Sequence, residues 1–354
     1  MKRKRPLVFI VDDIVENIQI AMSHLKELDC DFAYATSGEQ ALDRISAIHP
    51  DLVLMDVMMP GMSGFQVVEL LNQRNMVPSI PVIFLTARSE SEDVVRGFNL
   101  GGVDYITKPF KSVELRSRVR THLELHAYRS RLEWLVEERT RDAELLKDVI
   151  IEAMGELAEY RDPETGSHIH RTRAYVQLLA QTLATKGYFL DQLTPEYITL
   201  LWKSAPLHDI GKVAIRDSIL LKPGRLTQEE FAEMKMHTLF GEEVIVNLEQ
   251  MAGQPTSFLR CAKEIAGGHH ERYDGSGYPR GLLGEQIPLA GRIMAIADVY
   301  DALISKRVYK NSLSHQEALK IMVGGRGTHF DPVLLDVFLE VEPLFSQIAA
   351  DNAD

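Results

Sequence analysis

Two adjacent histidines, His269 and His270, stand directly before the acid Glu271 and a run with three glycines and a proline, HHERYDGSGYPRG. Imidazoles are common metal ligands, and glycine backbone allows a ligand to come close. Further ligand types are spread through the same half of the chain. Glu164 and His168 lie in RDPETGSHIHRT, His208 and Asp209 in LHDIGK, His237 in MKMHTLFG, and Asp298 and Asp301 in IADVYDALIS. Glu164 and His168 are four apart and share one face if their segment is helical. Asp298 sits among apolar neighbours, where a buried carboxylate needs a charged or metal partner. Imidazole and carboxylate ligands without thiolates suit Fe, Mn or Zn over Mg or Ca, and more than four of them imply more than one ion. Two neighbouring ions can share a hydroxide that attacks phosphorus in line, so the chemistry indicated is phosphodiester hydrolysis. His170, His315 and His329 are read as structural or surface histidines.

The first half carries a different set. Asp12 and Asp13 end one apolar run, Asp56 a second, Thr86 a third, and Lys108 a fourth, followed by Pro109. Three clustered carboxylates repel one another unless a cation lies among them, and hard oxygen ligands suit Mg²⁺. With that ion in place one carboxylate, Asp56, can act as a nucleophile toward a phosphoryl donor. Thr86 would bond a phosphoryl oxygen and Lys108 would pair with it.

These residues need positioning, and the patterning says by what. Over residues 6–122, PLVFIVDD, DFAYATS, DLVLMDVMMP, PVIFLTA and VDYITKPF read as strands separated by amphipathic helical stretches. Continuous apolar strands alternating with helices predict a doubly wound α/β parallel sheet of five strands, which places functional residues at the carboxyl edge. LRSRVRTHLELHAYRSRLEWLVEERTRDAELLKDVI has no Gly or Pro and predicts one long helix, with residues 123–150 as the linker. Leu125, Tyr128, Leu132, Leu135, Arg139, Asp142, Leu146 and Val149 recur at three and four, which suits a dimeric coiled coil with two polar interruptions; packing against one of the domains is the alternative. From 151 to about 345 strand-like runs vanish and helical periodicity takes over, so the output half is expected to be all-α.

Composition narrows the class. The chain of 354 residues is 45% hydrophobic and 25% charged, as soluble globular proteins are, and long enough for about two domains. A formal net charge of −12 argues against unspecific nucleic-acid binding. The apolar run after the basic start is only LVFIV, no segment reaches a membrane span, and Cys30 and Cys261 are too few for a disulfide framework. The expectation is a cytoplasmic protein with no membrane span. No helix-turn-helix or basic recognition helix follows residue 122, which sets DNA binding aside.

On the acidic pair, LVLMDVMMPGMSG, FLTA and DYITKPF, residues 6–122 resemble the receiver domain of two-component response regulators. The resemblance implies a cognate sensor histidine kinase, phosphorylation of Asp56, a cis bond before Pro109, and Tyr105 as an aromatic switch beside Thr86 and Lys108. On HDIGK, HHERYDGSGYP and ADVYDALISKRVYK, residues 151–345 resemble the HD-GYP phosphodiesterases, and the domain order is similar to RpfG-like response regulators. That resemblance implies hydrolysis of cyclic di-GMP to pGpG and/or GMP. It implies two or three divalent metals, Fe or Mn favoured, held by Glu164, His168, His208, Asp209, His237, His269, His270 and Asp298, with Asp209 bridging. Lys212 would hold a phosphate oxygen, and Asp301, Arg307 and Lys310 would contact the dinucleotide. The loop of Gly277, Tyr278 and Pro279 would serve substrate access or docking of diguanylate cyclase (GGDEF) domains. Two alternatives stay open: a catalytically silent cyclic di-GMP receptor, and another HD-type nucleotide phosphohydrolase.

Overall fold

The computed structural model describes residues 5–74, 76, 77, 79–87, 91–159, 167–305 and 312–352. The chain divides into two units, residues 1–141 and 142–354.

The first unit is built on five short strands, β1 Leu7–Val11, β2 Asp31–Ala35, β3 Leu52–Asp56, β4 Val82–Thr86 and β5 Asp104–Thr107. They form one parallel sheet in the order β2-β1-β3-β4-β5. The helices between and after them are α1 Val15–Leu25, α2 Gly38–Ile48, α3 Gly64–Gln73, α4 Ser91–Asn99 and α5 Ser112–Glu159. Successive strand side chains point to opposite faces, so the apolar runs split between two cores. Phe9, Val11, Val53, Met55, Val82 and Phe84 pack with residues of α2 and α3. Val8, Ile10, Leu52, Leu54, Ile83 and Leu85 pack on the other side with α1 and with Leu115 and Val119 of α5. Each such side chain contributes about 1.5–3 kcal/mol when fully buried, which is why the central strands are apolar up to their last residues, Asp56 and Thr86. The doubly wound five-stranded sheet is the architecture the sequence predicts.

The second unit is helical. After the end of α5 come α6 Ser167–Thr185, α7 Pro195–Ser204, α8 Asp217–Leu220, α9 Gln228–Lys235, α10 His237–Ala252, α11 Ser257–Gly268, α12 Leu289–Ile304, α13 His315–Gly324 and α14 Pro332–Asp351. Caps set many of the starts: Thr194 before Pro195, the Thr227 and Glu230 box, Thr256, the Ser314 and Glu317 box, and Asp331 before Pro332. The main core joins α6, α7, α11, α12 and α14 through Tyr175, Leu179, Leu201, Ile265, Ile293, Met294, Tyr300 and Phe338. A smaller core joins Ile151 and Ala158 of α5 to Leu207, Ile210, Ile245 and Ala266. Among the described residues no helix is long and apolar enough to cross a membrane.

Candidate active site

At the carboxyl edge of the sheet, Asp12, Asp13 and Asp56 offer oxygens within 4.8 Å of one another. Lys108 Nζ lies 2.6 Å from Asp12 Oδ2 and 2.7 Å from Asp56 Oδ2, tying the two acids together. Asp12 Oδ1 accepts bonds from Ile14 N and Asn17 Nδ2, which fixes the turn after β1. Burial raises the Asp56 carboxyl above its ordinary range against the pull of the Lys108 ammonium. Thr86 is buried at the end of β4. Tyr105 is half-buried, its ring meeting Phe98 edge-on at 6.2 Å. The peptide bond before Pro109 is cis.

The second cluster is in the helical unit, and its geometry begins with the backbone. His208 and Asp209 lie between two 3-10 turns, Ala205–Leu207 and Ile210–Ala214. Gly211 in the second turn packs directly on the start of α10, where an added Cβ would come 1.9 Å from the His237 carbonyl oxygen. Only glycine permits that approach, and it brings Asp209 to His237. His269 caps the end of α11, and His168 and Asp298 project from α6 and α12.

Four imidazoles are oriented in the same manner. Nδ1 of His208 donates to Ala205 O at 2.9 Å, that of His237 to Met234 O at 2.7 Å, and that of His269 to Ile265 O at 3.0 Å. His168 Nδ1 donates to Asp301 Oδ2 at 2.8 Å. With the proton held on Nδ1, each Nε2 presents a lone pair inward. Those atoms converge. His168 Nε2 is 3.4 Å from His208 Nε2 and 3.7 Å from Asp298 Oδ1. Asp209 faces both ways: Oδ2 is 3.4 Å from His208 Nε2, and Oδ1 is 3.2 Å from His237 Nε2 and 3.5 Å from His269 Nε2. Two donor groups result, one of Asp209, His237, His269 and His270 and one of Glu159, His168 and His208.

Electrostatics differ between the two groups. Burial, with His269 and His237 beside it, drives His270 well below the ordinary imidazole range. Burial also lowers His269. Burial opposes the charge on His208, but adjacent Asp209 raises it to about 10. Asp209 is held well below the carboxylate range because Lys212 and His208 outweigh its desolvation. Asp209 Oδ1, His237 Nε2, His269 Nε2 and both Glu159 oxygens are buried without a hydrogen-bond partner among the described residues. Buried lone pairs are rarely left unsatisfied, so this donor set fits divalent cations.

The loop beside the cluster is tied down. Glu271 is buried and accepts from Arg280 N at 2.7 Å and Leu282 N at 3.0 Å, while Tyr278 N donates to His270 O at 3.2 Å. The Tyr278 ring lies 4.8 Å from that of His270, and Lys235 Nζ is 5.3 Å from the Tyr278 ring centre. An added Cβ on Gly277 would come 2.2 Å from Arg272 N. The glycines therefore fold the loop back on its own base.

Residues 8–120 match the response regulator receiver domain family, and residues 152–334 match the HD domain family. A probable cyclic di-GMP phosphodiesterase of Vibrio cholerae is 47% identical over 98% of this chain and 80% of its own length. The chain belongs to the response-regulator cyclic di-GMP phosphodiesterases. A cyclic di-GMP phosphodiesterase of Thermotoga maritima is 35% identical over 98% of the chain and 93% of its own length. The cyclic di-GMP phosphodiesterase response regulator RpfG of Xanthomonas campestris is 34% identical over 96% and 89%.

Of the residues singled out in this enzyme's sequence, His168, His208, Asp209, His237, His269, His270 and Asp298 come together, with Lys212 Nζ 2.8 Å from Asp209 Oδ2. Glu164, Arg307 and Lys310 lie outside the described residues. Asp301, expected to contact the dinucleotide, has its partners inside the protein. It is fully buried, bidentate to Arg171 at 2.8 and 2.9 Å, and bonded to His168 Nδ1, so both oxygens are spent within the protein. Those partners hold its carboxyl down at about 2 despite burial. Sequence reasoning missed Glu159. The expected end of the connecting helix near residue 150 hid it, although Ile151, Gly155 and Glu159 recur at four and share a helix face.

Proposed function

We propose that this protein hydrolyses cyclic di-GMP to pGpG and/or GMP at the His, Asp and Glu cluster of its helical half, under control of phosphorylation at Asp56. The observation that carries the reading is Asp209, whose two oxygens face two different donor groups. A carboxylate placed in this way can bridge two ions. His168, His208, His237, His269, His270 and Asp298, with Glu164, complete the ligand set, and Fe²⁺ or Mn²⁺ suits it. Such ions, when bound, polarise the phosphoryl oxygens and lower the pKa of bound water. The chain's own residues do the rest. The Nδ1 anchors fix the imidazoles of His168, His208, His237 and His269 before substrate arrives, Lys212 at the rim of Asp209 offers an ammonium to a phosphate oxygen, and the Tyr278 loop walls the site beside His270.

In the receiver unit, Asp12, Asp13 and Asp56 hold Mg²⁺ and Asp56 accepts a phosphoryl group from a sensor histidine kinase. Lys108, already paired with Asp12 and Asp56, and Thr86 receive the new charge, and Tyr105 answers it. Exposed Leu125, Tyr128, Leu132, Leu146 and Val149 on α5 support pairing of two copies through that helix, and the Gly277, Tyr278 and Pro279 loop is a surface for GGDEF proteins.

The test is turnover of cyclic di-GMP by the full chain loaded anaerobically with Fe²⁺ or Mn²⁺. Linear product that falls by at least about 100-fold in Asp209→Asn is expected. Tight binding with no product under either metal would replace the enzyme with a receptor.

A further inference from the structure

We infer that Glu159, the last residue of α5, is itself a ligand of the ion held by His168 and His208, so that the helix leaving the receiver core supplies a donor to the catalytic metals. The inference rests on the metal-dependent reading above and extends it to a residue outside the ligand set that the sequence motifs define.

Four observations support it. The side chain is 97% buried, being only 3% exposed, and its Oε1 lies 3.6 Å from His168 Nε2, the atom that also faces His208 and Asp298. Neither oxygen accepts a hydrogen bond among the described residues, although an uncompensated buried carboxylate is among the costliest groups a protein can contain. One ligand atom from each of Glu159, His168 and His208 lies within 4.8 Å of the others, a separation that one cation of ordinary ligand distance spans. The helix is also built to reach this point. Gly155, one turn earlier, packs against the backbone just before His208, where an added Cβ would come 2.7 Å from Pro206 O. Ile151 and Ala158 are buried against Leu207 and Ile210, which flank the His208 and Asp209 pair.

Structural acids at helix ends normally face water or a backbone donor. Among the described residues Glu159 has neither, and the donor atoms grouped with it belong to two imidazoles, those of His168 and His208. An ion at that point satisfies all three groups at once.

The experiment compares the wild-type full chain with Glu159→Gln and Glu164→Gln. Each is stripped of metal, reloaded with Mn²⁺, and assayed for bound Mn²⁺ per chain by elemental analysis and for affinity by the free-Mn²⁺ paramagnetic signal. Glu159→Gln is expected to weaken one class of site by at least about tenfold and to lose close to one ion per chain after desalting, leaving the His237, His269 and His270 class intact. Wild-type stoichiometry and affinity in Glu159→Gln would overturn the assignment, whatever Glu164→Gln does. Should the glutamine variant misfold, anomalous diffraction from Mn²⁺-loaded wild-type crystals decides: a Glu159 oxygen about 2.2 Å from manganese supports it, and one beyond the reach of coordination refutes it. Wild-type protein that turns over cyclic di-GMP while Glu159→Gln keeps every ion defeats this inference alone. Wild-type protein with no turnover defeats the wider reading.

Discussion

At the scale of residues, the groups that touch the ring of His168 carry consequences that separate rival roles. Arg171 and Asp301 form a buried bidentate pair that holds His168 Nδ1. Asp301→Asn keeps the shape but removes the charge, and partners of this kind usually tune metal affinity by about 10- to 100-fold. Weaker Mn²⁺ binding with an unchanged KM at saturating metal is expected. A raised KM with unchanged metal affinity would return Asp301 to the dinucleotide. His329 gives a pH signature. Burial beside Arg272 lowers its ring to about 4, whereas the unfolded ring titrates near 6.5. Between those values the unfolded chain binds a proton that the folded one refuses, so stability is fully present above about 6.5 and declines as pH falls toward 4. His329→Gln should shrink the loss in melting temperature between about pH 7 and pH 4.5 relative to wild type. An identical loss in both would assign the acid sensitivity to other groups. The paired histidines and HDIGK were legible because their types and order are distinctive. The partners of Asp301 were not, since its three-residue spacing from Asp298 suits a ligand, a substrate contact and a histidine anchor equally well.

At the scale of elements, the loop after His270 depends on one acid. Glu271 satisfies the N–H groups of Arg280 and Leu282 from inside, and leaving a buried donor unpaired costs about 1–3 kcal/mol. Glu271→Ala should lower the melting temperature and speed proteolytic cleavage within residues 272–282, read by mass spectrometry. Unchanged cleavage would show that the glycine packing alone holds the loop. The strands were legible from continuous apolar runs bounded by acids, because a sheet covered on both faces leaves no polar alternation to confuse the reading. The true reach of α5 was not. Nothing between residues 150 and 159 breaks a helix except Gly155, which is present for its close approach to Pro206 and not as a stop.

At the scale of the whole molecule, α5 gives Leu115 and Val119 to the receiver core and Ile151, Ala158 and Glu159 to the output half. Its exposed apolar stripe leads to a direct expectation: Leu125→Glu with Leu132→Glu should shift the mass in solution from dimer to monomer by light scattering. A dimer that survives both changes would move the pairing surface elsewhere. Asp56→Asn should make turnover indifferent to a small-molecule phosphodonor that alters the wild-type rate. A continuous helix also imposes an angular bookkeeping on the chain. Each residue turns the helix by about 100°, so one residue inserted between Val119 and Ile151 swings the side chain at its end by more than a quarter circle relative to its start, while seven bring it nearly back. Regulation in chimaeras with lengthened or shortened connectors should therefore rise and fall with a period of about three and a half residues. Spacing along such a helix comes in discrete steps, and a borrowed receiver is expected to pass its signal only where the count of residues lands on the same step.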